Sequence, residues 1–234
     1  MPISRTLNQD FFKVWSPDMA YVLGFFAADG SMVRNNRGAH FIEFNITDRI
    51  VLEHIQRVTG SNHALTERKG DSRANPNWKP IYRLQIGSKS WFNDLVVLGL
   101  TQNKSKTLIF PPVPPEYLGP FVRGYFDGDG CVYFKQHWSA ERERMIWIFL
   151  SMFTSGSKSF LESLHTRLKL YGVVGGRISK KERGYDLVFS RNDSLALYRL
   201  MYNTGFHTGP YLPRKQLLFV EAITTLYGSN AVRA

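Results

Sequence analysis

The stretch Tyr21-Val22-Leu23-Gly24-Phe25-Phe26-Ala27-Ala28-Asp29-Gly30 returns one hundred residues further on as Phe121-Val122-Arg123-Gly124-Tyr125-Phe126-Asp127-Gly128-Asp129-Gly130. Self-similarity at a fixed offset restricts the chain to architectures built from two related units. Pro17 precedes the first copy and Pro115 or Pro120 the second, positions that suit the first turn of a helix. Each copy runs apolar for about two turns and stops at Asp-Gly, where the glycine is expected in the left-handed cap position.

The segments that follow repeat as well. His40, Ile42, Phe44 and Ile46 alternate with Phe41, Glu43, Asn45 and Thr47, the pattern of a half-buried strand. Asp48 opens a helical pattern that ends near Gly60, strands are expected around 63–69 and 80–87, and a helix over 88–98 closes at Gly99. In the second half strands are expected at 131–137, 144–154, 174–181 and 185–190, and helices at 157–171, 193–202 and 212–227. The 145–153 stretch is apolar on both faces, so its register is not legible. The fold class expected is α/β (α+β), with the order αββαββα in each half: two similar units on one chain. The N-terminal unit would span residues 1–110 and the C-terminal unit 116–234, joined by the stiff Pro-rich linker 111–115.

Gly24 and Ala28 are four apart, as are Gly124 and Gly128, so each motif helix carries a stripe of small residues that allows close backbone approach. If the repeats face each other through these stripes, Asp29 and Asp129 arrive side by side. Two adjacent carboxylates repel unless a cation lies between them, and hard divalent cations prefer oxygen ligands. The 30 Lys and Arg against 19 Asp and Glu give a net charge of +11, spread over both halves, which points to an extended polyanion as partner. Cys131 is the only cysteine, which excludes an internal disulfide and a Cys-based zinc site. No apolar run reaches the length of a signal peptide or a membrane span, so a soluble intracellular protein is expected, in bacterial cytoplasm or organelle matrix.

On these residues the chain resembles the single-chain LAGLIDADG homing endonucleases, with motifs at Val22–Gly30 and Val122–Gly130. The resemblance covers nearly the whole chain from about Asp18. It implies motif helices packed at a pseudo-dyad, and Asp29 and Asp129 as the metal-binding catalytic acids. It also implies that Ala28 and Gly128 offer backbone carbonyls to metal. Lys104 and Lys215 correspond to the family's active-site lysines, with Lys106 and Arg214 as alternates, because they stand at unequal distances from the two acids. Asp48 is either a water-organising residue or simply the N-cap of the next helix. The implied cofactor is Mg²⁺ or Mn²⁺, with Ca²⁺ supporting DNA binding without cleavage.

The resemblance further implies that the two units are pseudo-symmetric and that their antiparallel sheets form a saddle in the major groove, where alternate side chains reach base edges. By alternation Asn45, Thr47, Arg83, Gln85, Arg177, Ser179, Lys181 and Asp186 face the DNA, while Tyr82, Leu84, Ile86, Leu187 and Phe189 pack inward. Arg34, Arg37, Lys69, Arg73, Lys79, Lys135, Arg142 and Arg144 sit at strand ends or loops and suit phosphate contacts. Arg123 is expected at the surface, Asp127 is not the family's catalytic acid, and Trp78, Trp91, Trp138 and Trp147 are expected in packing. The function implied is site-specific double-strand cleavage of a long asymmetric DNA target by a monomer without an obligate protein partner. A maturase assisting splicing of a group I intron RNA and a non-cleaving DNA-binding regulator are the alternatives on the same scaffold.

Overall fold

The computed structural model describes residues 5–68, 79–203 and 209–232. The elements run α1 (Pro17–Asp29), β1 (Gly30–Arg34), β2 (His40–Ile46), α2 (Arg49–Thr59), β3 (Leu65–Arg68), β4 (Ile81–Gly87) and α3 (Lys89–Val97). The order then repeats as α4 (Leu118–Asp129), β5 (Gly130–Ser139), β6 (Arg144–Ser155), α5 (Lys158–Lys169), β7 (Arg177–Lys181), β8 (Gly184–Ser190) and α6 (Arg191–Tyr202), followed by α7 (Pro213–Tyr227). The two four-stranded sheets are antiparallel with the same topology, β1-β2-β4-β3 and β5-β6-β8-β7. The expected αββαββα order is therefore present twice.

Local chemistry sets the helix starts. Ser16, Ser88 and Ser157 each accept a hydrogen bond from the backbone N–H three residues on, relieving one orphan donor at the starts of α1, α3 and α5. Gly60 ends the α2 region in the left-handed conformation, φ 62°, which costs a glycine nothing.

Contacts divide the chain into two compact units. The first comprises Met1–Lys104, Pro111–Gly128 and Gly209–Leu212, and the second Ser105–Phe110, Asp129–Thr208 and Pro213–Ala234. The first unit thus contains α1 and all but the last residue of α4. Its core joins Met19, Val22, Phe25 and Phe26 of α1 to Ile42 and Phe44 of β2 and Leu84 and Ile86 of β4, all buried. The Phe44 ring lies 6.2 Å from that of Phe25 and 5.5 Å from that of Phe26. In the second unit Phe153 of β6 and Leu187 and Phe189 of β8 pack with α5, which buries Phe160, Leu161 and Leu164, while the Phe149 ring lies 6.0 Å from that of Phe219 in α7.

The β6 stretch whose register the sequence leaves open alternates from Phe149 onward: Phe149, Ser151, Phe153 and Ser155 are buried, and Leu150, Met152 and Thr154 are half-buried on the other face. The inward serines are satisfied, since Ser151 Oγ lies 2.9 Å from Ser194 Oγ and Ser155 Oγ accepts from the Ser157 N–H at 3.1 Å. Trp91 is a core residue and Trp147 stacks on Phe134 at 4.3 Å, as expected of packing. Trp138 is instead 63% exposed, because it lies beyond Leu150–Ser155, the stretch of β6 that β8 pairs with. Trp78 and Arg73 fall outside the described residues.

Candidate active site and nucleic-acid interface

The small-residue stripes do what close packing requires. A Cβ on Gly24 would overlap the Phe121 carbonyl oxygen and stand 2.9 Å from the Tyr125 nitrogen. One on Gly124 would overlap the Tyr21 carbonyl oxygen and stand 2.9 Å from the Phe25 nitrogen. The two motif helices therefore meet backbone to backbone, reciprocally, inside the first unit. Further along the same seam, a Cβ on Gly128 would come within 2.5 Å of the Ala28 Cβ and 3.2 Å of Asp29 Oδ2. The Asp29 carboxylate thus lies against the residue that immediately precedes Asp129.

Asp29 and Asp129 are the last residues of α1 and α4 and both are half-buried. A helix C-terminus concentrates partial negative charge on its unpaired carbonyls, which favours a cation there. Among the described residues no group of three His, Cys, Asp or Glu could hold a metal ion alone. Mg²⁺ commonly takes one or two carboxylates and fills its shell with water and phosphate oxygens, and each helix end, a carboxylate beside backbone carbonyls, offers the oxygen chemistry such an ion prefers.

Two lysines complete the picture, one in each unit. Lys104 is only 6% exposed, and its Nζ donates to the Gly30 carbonyl at 2.5 Å. Lys215 is likewise 6% exposed, and its Nζ donates to the Gly130 carbonyl at 2.6 Å. Each ammonium is held at the residue directly after a motif aspartate. The alternates, Lys106 and Arg214, are exposed. Asp48 occupies the N-cap position of α2 but makes no side-chain cap hydrogen bond, so position alone supports the capping role.

Two expectations for the motif helices are corrected. Gly30 is not in the left-handed conformation; its φ of −83° and ψ of 153° are extended, because the chain passes straight from α1 into β1. It is glycine for space, since a Cβ would overlap the Phe26 ring. Arg123 does not turn to the surface but is 1% exposed, its guanidinium 5.7 Å from the Tyr21 ring. Asp18 lies near it; burial raises the Asp18 carboxyl above the usual range, with Arg123 and Arg57 pulling the other way. Asp127, also 1% exposed, accepts from the Tyr21 hydroxyl and from the Leu212 N–H, both at 2.8 Å. The residue that replaces Ala27 in the second motif is thus a buried anchor for the 209–212 segment.

On the first sheet Arg83 and Gln85 of β4 point away from the buried Leu84 and Ile86, as the alternation predicts. Both engage Glu43 of β2, a residue to which the sequence attaches no role. Arg83 Nη2 and Gln85 Nε2 donate to the same Glu43 oxygen, the latter at 2.6 Å. Glu43, Asn45, Arg68, Ile81 and Arg83 line a hollow of about 370 Å³. On the second sheet Asp186 of β8 accepts from Thr154 Oγ1 at 2.6 Å and pairs with Lys181 at 2.9 Å. Arg177 and Ser179 of β7 line a hollow with Leu150 and Val188, so they share the outward face. Arg34, Arg37, Thr47, Lys79, Lys135, Arg142 and Arg144 are exposed, and Lys69 lies outside the described residues.

In comparison with known proteins, residues 16–95 match the LAGLIDADG-like domain. The whole chain takes the fold of solved LAGLIDADG structures. The homing endonuclease I-WcaI bound to its DNA recognition sequence matches with a TM-score of 0.58 at 17% identity, over 90% of this chain and 91% of that one. The LAGLIDADG meganuclease I-AabMI bound to uncleaved DNA gives 0.60 at 14% identity, over 92% and 91%. I-SmaMI bound to an uncleaved DNA target in the presence of calcium ions gives 0.52 at 13% identity, over 94% and 97%. None of the curated proteins compared with the chain matches it. Among the described residues no helix is long and apolar enough to cross a membrane.

Proposed function

We propose that the chain is a site-specific DNA endonuclease that breaks both strands of a long, asymmetric target by divalent-metal-dependent phosphodiester hydrolysis. The observation that carries this reading is the duplicated arrangement of motif aspartate and buried lysine. In each copy an acid ends a helix and a lysine ammonium is fixed to the carbonyl of the next residue. The net charge of +11 suits a polyanionic substrate, and DNA-bound relatives share the fold.

In this reading Asp29 and Asp129 hold Mg²⁺ or Mn²⁺, with the backbone carbonyls of Ala28 and Gly128 as further oxygen donors. Such an ion would supply the activation of water and the stabilisation of the leaving 3′ oxygen. The chain's own residues do the rest. Lys104 and Lys215 place positive charge where the pentavalent phosphate gains negative charge, and their burial keeps them from being solvated away. Outward side chains of β2, β4, β7 and β8, namely Asn45, Arg83, Gln85, Arg177, Ser179, Lys181 and Asp186, lie against base edges. Thr47 joins them, while Arg34, Arg37, Lys69, Lys79 and Lys135 contact phosphates. Residues 1–110 and 116–234 are the repeated modules, 111–115 their connection, and one chain suffices for one target.

The test is cleavage of the chain's own insertion locus with Mg²⁺. The expected product is a double-strand break with 5′-phosphate and 3′-hydroxyl ends, abolished in Asp29→Asn or Asp129→Asn while DNA binding in Ca²⁺ persists. Full double-strand cutting by either variant would remove these carboxylates from the mechanism. Binding to the surrounding intron RNA with no cut in the DNA would favour the maturase reading.

A further inference from the structure

A basic chain that binds a polyanion gains nothing in affinity from a carboxylate on its contact face. Yet Glu43 sits among the outward residues of the first sheet, opposite Gln85 in the β2–β4 register and beside Ser31 in the β1–β2 register. Its side chain is 14% exposed and that of Arg83 is 24% exposed, so the pair is already partly desolvated before any ligand arrives. A single carboxylate oxygen receives both Arg83 Nη2 and Gln85 Nε2. Arg83 Nε is buried with no hydrogen-bond partner among the described residues. The guanidinium is therefore held, but not saturated.

The second sheet repeats the device with different residues. Asp186, opposite Thr154 in the β6–β8 register, takes the Thr154 hydroxyl and the Lys181 ammonium, and its side chain is 20% exposed. In both sheets one acid on an inner strand gathers one cation and one neutral polar side chain.

We propose that Glu43 is a specificity-determining positioning residue that locks Arg83 and Gln85 into one base-reading unit. This rests on the reading of the chain as a sequence-specific DNA-binding enzyme and deepens it. Arg83 carries only donors, and a guanidinium fixed at one end presents the remainder of its fork to an acceptor edge such as guanine O6 and N7. A Gln amide can present donor and acceptor in either order. With Nε2 committed to Glu43, the group left to Gln85 for a base is its carbonyl oxygen, and an acceptor selects the amino groups of adenine or cytosine. The carboxylate thus fixes the polarity of two neighbouring positions, and its negative charge repels backbone phosphates that would otherwise capture Arg83 without regard to sequence.

The experiment is selection of the full-length protein on a randomised pool of double-stranded DNA in Ca²⁺, with the bound fraction sequenced. Arg83→Ala and Gln85→Ala first identify the base pairs at which each side chain sets a preference. Glu43→Gln, which keeps shape and removes charge, should flatten the preference at both of these positions by about tenfold. It should also raise affinity for unselected DNA and steepen its salt dependence by about one counterion, as Arg83 becomes available to a phosphate. Glu43→Asp, which keeps charge but withdraws the carboxylate by one methylene, should lose the same two preferences without the gain in unselected binding. Retention of both preferences in Glu43→Gln, or an even loss across the whole site, would overturn the assignment. Enrichment of no sequence by the unaltered protein would overturn both this assignment and the endonuclease reading, whereas an unaltered consensus in the Glu43 variants would overturn only the former.

Discussion

Replacing Gly24 by Ala tests the backbone contact between the motif helices, because two effects of opposite sign meet there. In an unpacked helix the change stabilises, by about 1 kcal/mol, since Ala is the better helix former. In this structure the new methyl would stand 2.9 Å from the Tyr125 nitrogen and the Phe121 carbonyl carbon, where ordinary contact begins at 3.4 Å. The Phe121 carbonyl oxygen lies nearer still and would be overlapped outright, so the helices would have to part by well over the roughly 0.5 Å that these two contacts alone require, and every neighbour is backbone that cannot rotate aside. Overpacking of this kind costs about 1–3 kcal/mol, and the immobility of backbone places it at the upper end. The net expectation is a loss of about 2 kcal/mol, which for a chain of this size lowers the thermal midpoint by about 4–8 °C. Gly124→Ala should cost the same, because its surroundings are the mirror of those of Gly24. The double variant should lose less than the sum, since helices already parted by one methyl accommodate the second more easily. Scanning calorimetry of the four proteins decides it. A midpoint unchanged or raised in Gly24→Ala would mean that helix propensity wins and the close contact is not what holds these helices.

Lys104→Met should lower the cleavage rate by about a hundredfold or more while the fold survives, whereas Lys106→Met should leave the rate unchanged; single-turnover cleavage separates them. Arg83→Ala should erase a preference at particular base pairs, while Lys79→Ala should weaken binding to all sequences equally, as read by cleavage of every single-base variant of the target. The reverse result would mean that Arg83 contacts phosphate and Lys79 reads bases. His54 is held below its ordinary value of 6.5, first by burial and then by Arg57, and its Nδ1 is buried without a partner among the described residues. The unfolded chain therefore binds this proton more readily than the folded one. Stability should fall as pH drops below about 6.5 and level off once the folded value is passed. His54→Gln should flatten this slope in urea titrations, leaving the part contributed by His63, which is lowered in the same sense.

The parts of the fold legible in the sequence are those where burial and polarity coincide. In β4 every inward position is apolar or aromatic, so Leu84 and Ile86 could be assigned to the core and Arg83 and Gln85 to the outside. In β6 the correspondence fails: Ser151 and Ser155 are buried because other polar groups satisfy them, while Leu150 and Met152 face outward. The repeat exposed Asp29 and Asp129, since a doubled motif needs no tertiary information. Glu43 gave no such signal, because its role depends on which β4 residues lie beside it, and strand pairing is a property of the register. Arg123 reads as a surface residue because a charge on a helix ordinarily marks its solvent face, whereas α4 is buried from Leu118 to Asp127; Asp18 and the Tyr21 ring make the burial tolerable. Lys104 could not be told from Lys106 until the Gly30 carbonyl showed which ammonium is enclosed.

The first compact unit is assembled from three separate stretches of chain, Met1–Lys104, Pro111–Gly128 and Gly209–Leu212. Dissection at the proline-rich connection would therefore not yield an autonomous N-terminal fragment. A fragment ending at residue 110 would be deprived of the helix that covers Gly24, and of the strap that Asp127 fastens through Leu212. Expression of the halves as separate polypeptides would turn an intramolecular contact into one governed by concentration. Interchange of halves between related proteins would be limited by the fit of α4 to a foreign α1, whatever the quality of each sheet.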